Sequence, residues 1–452
     1  MSAKSVVVLG GGESGVGSAI LAHRVGHRVF LSDRGTLSDA RRSELQSHGI
    51  EFEEGVHTVE RILSADEVVK SPGVPETAPI VVSLRERGIP VISEIELAGR
   101  HMGKAKTICI TGSNGKTTTT NLVYRMLQMA GLNVGMVGNV GYSFAWQVAM
   151  EARDYYVVEL SSFQLDGMYD FRADVAVLLN ITPDHLDRYE YKLENYAASK
   201  LRIGQNQGEG DTFIYCADDA VSRSMMEGFT PGAGSVLPFT ASDVVEGMGS
   251  YQRGESLHIA DGLGGFSMRK DDIRLQGKHN MYNCQAAMLA ALAVGVSWEA
   301  IAEGMRHFEG IAHRMELAGE HNGVRYINDS KATNTDSVWY ALDSMKTPVV
   351  WIAGGKDKGN DYAPLLPLVE GRVHTLICLT TDAEKLHESF AGSIGRIVDA
   401  GSAEEAVNLA AGYAQPGDTV LLSPACASFD LFDNYEQRGE LFKKAVEELR
   451  CK

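Results

Sequence analysis

The sequence predicts an α/β protein whose strands lie mostly parallel. Three observations carry that expectation. A short β-branched run leading into a glycine-rich turn occurs three times, at Gly10-Gly11-Gly12, at Gly112-Ser113-Asn114-Gly115 and at Gly354-Gly355, and the first two turns open into a helical pattern. Between them lie apolar runs at 156–160, 175–181, 373–380 and 419–422 that do not alternate with polar residues, as strands buried on both faces require. The composition, 44% hydrophobic and 22% charged, is that of an ordinary globular protein, and 452 residues suggest about three domains at roughly 150 residues each.

Taken in order, residues 5–9 read as a strand, and residues 15–25 read as a helix from the spacing of Val16, Ile20 and Leu21, closed by Gly26. A second strand covers 27–32, and another at 68–70 leads into the turn Ser71-Pro72-Gly73-Val74. A first boundary is set near Glu96. Beyond it come a strand at 107–110 and a helix from about Lys116 to the stop at Gly131. Residues 212–274, with many Gly, Ser and Asp and only short strand-like pieces, decorate the edge of the middle domain. A second boundary near Gly310 precedes a new strand at 324–327. The expected domains are therefore 1–96, 97–310 and 311–452.

The net charge is −17, so the average field repels phosphate backbones and anionic lipid surfaces, and general nucleic-acid or membrane binding is not expected. No apolar run approaches the roughly 18 residues of a membrane span. The opening MSAKSVVVLGGG lacks a basic leader and a small-residue cleavage site, which predicts a cytosolic chain. Six scattered cysteines without a C-x-x-C pair predict reduced thiols.

The strongest chemical signal is Thr111-Gly112-Ser113-Asn114-Gly115-Lys116-Thr117-Thr118, which follows a strand and opens a helix. Glycines let successive N–H groups converge on phosphate oxygens, the helix N-terminus adds positive potential, Lys116 supplies a point charge and Thr117 a hydroxyl for magnesium. Ile110 stands where the usual motif has its first glycine. The first turn, Gly10 to Gly15, fits G-x-G-x-x-G, and Asp33 falls about 20 residues on, where a ribose-binding carboxylate belongs. That pattern offers a site for a nucleotide diphosphate and ribose; a nicotinamide enzyme and a plain packing turn remain alternatives.

In the middle domain Glu159 ends an apolar strand just before Ser161. A buried acid there needs a cation, either magnesium or a nearby Lys or Arg. The strand at 175–180 leads into Thr182-Pro183-Asp184-His185, and loops after parallel strands converge, so His185 joins Glu159 and Lys116 as a candidate metal residue. Composition alone reads Lys200 as a solvated helix lysine.

These segments, with VVELSSFQL, NITPDHLDRY, YAASKLRI, GKHNMYNCQAA, HRMEL, INDSKATNTDS and LSPACASFDLFDNYEQRGELF, resemble the Mur ligase family across all three expected domains. The resemblance implies a Rossmann-like UDP-substrate domain, a P-loop ATPase-like central domain with a parallel sheet, and a Rossmann-like C-terminal domain for the amino acid. It implies ATP and two magnesium ions as cofactors. Lys116 would be a γ-phosphate ligand within a loop formed by Gly112, Ser113, Asn114, Gly115, Thr117 and Thr118. Thr117 and Glu159 would bind one magnesium, and His185 with a carbamylated Lys200 the other. Asn280 and Asn283 would face adenine, and Arg314 and Asp329 would engage ATP. Ser14, Asp33 and Ser71 would hold the uridine diphosphate part and Asn139 the muramoyl substrate, with Ser161 a further substrate-binding residue. Lys331, Thr333, Lys358, Ser428, Phe429 and Tyr435 would orient substrate and D-glutamate, with Lys356 the alternative to Lys358.

The activity implied is ATP-driven addition of D-glutamate to UDP-N-acetylmuramoyl-L-alanine through an acyl phosphate, in cytoplasmic peptidoglycan precursor synthesis, by a monomer. A sister ligase or a folylpolyglutamate synthase is the nearest alternative. An arginine-containing D-N-P-R type motif, which a diaminopimelate-adding sister would carry, is absent from the sequence. An NAD-dependent oxidoreductase and a silent nucleotide-binding regulator are alternatives of other classes.

Overall fold

A computed structural model describes residues 3–242, 247–260, 262, 265–308, 310–357 and 359–449. The chain divides into two compact units, Met1–Gln276 with Asn280–Phe308, and Gly277–His279 with Glu309–Lys452. Among the described residues no helix is long and apolar enough to cross a membrane.

The first unit holds two sheets. One has the strand order Glu51–Glu54, Arg28–Asp33, Ser5–Leu9, Glu67–Lys70, Val91–Ile92, all parallel. Val6, Val8 and Leu31 are fully or almost fully buried against the helix Glu13–Arg24, whose inner face presents Val16, Ile20 and Leu21. Each such side chain contributes roughly 1.5–3 kcal/mol on burial. The strand and helix of the first glycine turn thus form as the sequence predicts, with the helix starting two residues earlier.

The second sheet runs Ser267–Arg269, Ser256–Ile259, Ser250–Arg253, Ser235–Phe239, Thr212–Cys216, Val175–Leu178, Lys106–Thr111, Tyr155–Glu159, Val134–Gly138. Its core is parallel, and the pairs at the first edge, Ser250–Arg253 with Ser256–Ile259 and the latter with Ser267–Arg269, are antiparallel. The short pieces of 212–274 therefore extend this sheet. The strand expected over 175–181 stops at Leu178. After Leu179 donates its N–H to Thr111 O (3.0 Å), the chain turns away and Asn180 bonds to the glycine-rich loop instead.

Glu96, where the sequence reading sets its first boundary, lies inside the helix Glu94–His101. Its fully buried carboxylate accepts the N–H groups of Tyr169 (2.9 Å), Asp170 (3.1 Å) and Phe171 (2.9 Å) and pairs with Arg100, which also reaches Glu67.

The second unit is built on the sheet Glu316–His321, Val324–Asn328, Thr419–Ala425, Val349–Gly354, Val373–Leu379, Arg396–Ala400, parallel apart from its first pair. Apolar clusters cover both faces, one around Trp351, Leu376 and Phe390 and the other around Ile352, Val407 and Phe442. That double coverage explains why its strands read as unbroken apolar runs.

Candidate active site

The glycine-rich loop at the carboxyl end of Lys106–Thr111 opens the helix Lys116–Met129. Gly115, the residue before that helix, has φ +86°, and a Cβ there would lie 2.3 Å from Asn283 Oδ1. Glycine is therefore needed for both backbone and space. Asn283, in the helix Lys278–Ala293, also donates to Asn280 Oδ1 (3.2 Å). The loop is held from the neighbouring strand end. Asn114 N–H bonds Asn180 Oδ1 (2.8 Å), and Ser113 Oγ donates to Thr182 O and accepts from Thr182 N–H, both 2.9 Å. Thr117 and Thr118 are buried in the first turn of the helix.

Two lysines meet at one oxygen. Lys116 Nζ donates to Gly112 O (2.7 Å) and Ser113 O (2.8 Å), and Lys200 Nζ donates to the same Gly112 O (2.9 Å). Lys200, on the helix Leu193–Leu201, is 1% exposed and lies 4.5 Å above the Tyr196 ring. Burial, reinforced by Lys116, lowers its pKa well below the ordinary lysine value, against the opposing pull of Asp184 and Asp166. The solvated lysine that composition suggests is thus buried.

Glu159 ends its strand 2% exposed. Its Oε1 accepts from Asn139 Nδ2 (2.9 Å), while its buried Oε2 has no hydrogen-bond partner among the described residues. An unpaired anionic oxygen beside a phosphate loop fits an oxygen-seeking cation such as magnesium. His185 sits in the left-handed region (φ 51°) with its ring edge-on to Phe163 and Nε2 3.7 Å from Asp184 Oδ2. Ser161 caps the helix Ser162–Leu165 in a reciprocal capping box with Gln164.

The first sheet carries a cavity of about 650 Å³ at the carboxyl ends of its strands, lined by Gly10, Asp33, Arg34, His57, Gly73 and Val74 among others. Asp33 receives the N–H groups of Gly11 and, at 2.6 Å, Gly35, and Ser71 Oγ donates to Gly10 O (3.2 Å). Ser14 stands in the first turn of the following helix, its carbonyl accepting from Ser18 Oγ (2.7 Å).

In the second unit Asp329 is buried, with Oδ2 accepting from Ser423 Oγ (2.9 Å) and Oδ1 from Met315 N–H (3.2 Å). Burial pushes its pKa up to about 7, opposed by Arg314. Lys331 Nζ lies 5.2 Å from the Tyr435 ring centre, Ser428 is buried, and Thr333 and Phe429 are exposed. Lys358 lies outside the described residues.

Family profiles match in three places: the MurD N-terminal domain over residues 5–79, the Mur ligase middle domain over 110–291, and the Mur ligase glutamate ligase domain over 313–426. A curated relative from Bacteroides fragilis, a UDP-N-acetylmuramoylalanine--D-glutamate ligase, is 51% identical over 448 residues, covering 99% of this chain and 100% of the relative. The chain belongs to the Mur ligase family. Its fold is that of solved Mur ligases such as the UDP-N-acetylmuramate-alanine ligase of Thermotoga maritima, with a TM-score of 0.62 at 18% identity over 98% of this chain and 99% of that one. The same fold is found in E. coli FolC in complex with DHPP and ADP, with a TM-score of 0.60 at 18% identity over 84% of this chain and 100% of that one.

Sequence reasoning missed one organising residue of this Mur ligase. Arg438, 1% exposed in the helix Tyr435–Leu449, donates to Ser330 Oγ (3.0 Å), Ser330 O (2.9 Å), Gly354 O (3.3 Å) and Cys426 O (3.2 Å). It clasps the loops after three adjacent strands, including those that carry Lys331 and Ser428. Burial lowers its pKa to about 10, so it stays charged at neutral pH. A signal was available in the next residue. Glycine inside a helix is costly, and a Cβ at Gly439 would fall 2.1 Å from His313 Nδ1, so this face of the helix had to be tightly packed.

Proposed function

We propose that this chain is an ATP-dependent ligase that adds D-glutamate to UDP-N-acetylmuramoyl-L-alanine in peptidoglycan precursor synthesis. The observation that carries the reading is full-length identity of 51% to a ligase of that name. FolC-like enzymes match the chain at 18% identity, which speaks only for a common fold.

In this reading the expected parts keep separate tasks. Residues 1–96 bind the UDP moiety through Ser14, Asp33 and Ser71 beside the 650 Å³ cavity. Residues 97–310 bind ATP, with Gly112 to Thr118 around the phosphates and Asn280 and Asn283 near the base. Residues 311–452 contribute Arg314 and Asp329 toward ATP, and Lys331, Thr333, Lys358, Ser428, Phe429 and Tyr435 toward the amino acid. Asn139 and Ser161 face the muramoyl part. The enzyme acts in the cytosol as a monomer.

The chemistry must make a poor electrophile reactive. The alanyl carboxylate attacks the γ-phosphorus of ATP, forming an acyl phosphate and ADP; the neutral D-glutamate amine then attacks the acyl carbon, phosphate leaves, and the nitrogen gives up a proton to a base as the amide forms. Lys116 exchanges its bonds to Gly112 and Ser113 carbonyls for the γ-phosphate oxygens, where negative charge grows. Thr117 and Glu159 would hold one Mg2+, and His185 with Lys200 a second, which neutralise phosphoryl charge when bound. For that role Lys200 must become an anion. Its buried amine, with a pKa lowered well below that of an ordinary lysine, suits this, since a neutral amine adds to CO2, forming an N–C bond and releasing a proton to leave a carbamate.

The test is phosphate release from ATP with Mg2+, UDP-N-acetylmuramoyl-L-alanine and single amino acids. D-glutamate is expected to stimulate release far above the others. Stronger stimulation by another amino acid, or none by D-glutamate, rejects the assignment.

A further inference from the structure

The second unit carries a cluster that none of these roles uses. Cys378 on the strand Val373–Leu379 is the registered cross-strand neighbour of Asp399 on the edge strand Arg396–Ala400. The helix Glu384–Phe390 packs beside them, its Leu386 and Phe390 sharing a core cluster with Cys378, and it brings in His387. Cys378 Sγ, an imidazole nitrogen of His387 and a carboxylate oxygen of Asp399 all lie within 4.8 Å of one another. His387 Nε2 is 2.7 Å from Asp399 Oδ1, and the same carboxylate interacts with the Cys378 thiol.

We propose that Cys378, His387 and Asp399 form a binding site for a zinc-like divalent cation, separate from the magnesium chemistry of phosphoryl transfer. The donor set decides the class of ion. A sulfur, an imidazole nitrogen and a carboxylate oxygen suit Zn2+, whereas Mg2+ takes oxygen ligands and does not select a thiolate. Zinc–ligand bonds of roughly 2.0–2.3 Å set tetrahedral ligand atoms roughly 3.3–3.7 Å apart, so binding requires the 2.7 Å His387–Asp399 contact to open and the cluster, now within 4.8 Å, to adjust around the ion. Three protein ligands leave the fourth position to water. Asp399 is exposed and His387 half-buried, so the ion has a path from solvent, while Cys378 is closed off from below by the core. Binding forms a metal–sulfur bond and expels the thiol proton to solvent. Because the thiol must lose its proton to bind, affinity rises with pH. A bound ion would fasten the edge strand to the helix above it.

The rival account is structural. An exposed charge on an edge strand discourages strand pairing with other molecules, and Asp399–His387 is then an ordinary tether. Titration of the full-length protein with Co2+, in excess Mg2+ and without nucleotide, separates the two. The metal site predicts a near-ultraviolet sulfur-to-cobalt charge-transfer band that saturates at one equivalent and is bleached by Zn2+. Cys378→Ser should abolish the band. His387→Gln and Asp399→Asn, both at solvent-accessible positions, should weaken Co2+ binding roughly tenfold or more. No band in the unaltered protein, a band that persists in Cys378→Ser, or unchanged affinity in the other two variants overturns the proposal. Since this site takes no part in the ligase reaction, its failure leaves the phosphate-release assay unaffected.

Discussion

Glu94 offers the sharpest quantitative test of how this protein is assembled. Its Oε1 accepts from Ser143 Oγ and from Ala145 N–H (3.0 Å), while Oε2 is buried without a hydrogen-bond partner among the described residues. Glu13, whose Oε1 accepts from Ser143 N–H (3.1 Å), adds a like charge nearby. Burial pushes the Glu94 carboxyl from 4.5 to about 7. A carboxyl raised on folding stabilises the native state most below its unfolded pKa, and that contribution is lost as pH rises through the folded value. That rise corresponds to about 3 kcal/mol in all, of which about 1 kcal/mol is lost between pH 6 and 8. Glu94→Gln keeps the acceptor used by Ser143 and Ala145 and cannot ionise. The stability difference between variant and parent should therefore move in the variant's favour by about 1 kcal/mol from pH 6 to pH 8. Urea unfolding followed by tryptophan fluorescence at both pH values measures it. Parallel behaviour of the two proteins across that range would show that Glu94 is ionised in the fold throughout, and the burial argument would be wrong.

Other expectations follow from the site. Lys200→Ala should abolish phosphate release, with partial recovery on adding acetate or formate, short acids able to occupy the vacated space; wild-type turnover in the variant rejects a metal role for this residue. Gly115→Ala forces a side chain into a left-handed backbone and against Asn283, so ATP affinity measured by calorimetry should fall at least tenfold while UDP-substrate affinity holds. Arg438→Met removes a buried cation from three loops and leaves carbonyl oxygens unpaired, so thermal unfolding should show the second unit destabilised by about 3 kcal/mol or more, with a raised KM for D-glutamate. An unchanged KM in a folded Arg438→Met protein would confine that arginine to stability.

Much of the architecture was legible because its signals are local. A glycine turn between a β-branched run and a 3.6-residue pattern encodes strand, loop and helix within some 20 residues, and both such units form where expected. Lys116 and Glu159 were legible for the same reason, one inside the loop and one at a strand tip. What stayed hidden depends on partners distant in sequence. Lys200 stands 88 residues from the carbonyl it bonds, and Arg438 stands 108 residues from Ser330. On their own helices both look like solvated cations, and only the packed structure shows them buried. The boundary expected near Glu96, between small alternating elements and the phosphate-loop unit, falls within the helix Glu94–His101, and the three backbone amides that enclose the Glu96 carboxylate lie more than 70 residues further on.

The shared oxygen of Gly112 has a practical consequence. Two amines crowded on one acceptor make it costly for both to carry an ammonium charge, and burial lowers the pKa of Lys200 well below that of an ordinary lysine. With Lys200 carrying the carbamate proposed above, the history of a sample matters: protein handled in degassed, bicarbonate-free buffer should begin turnover with a lag, and bicarbonate should shorten it.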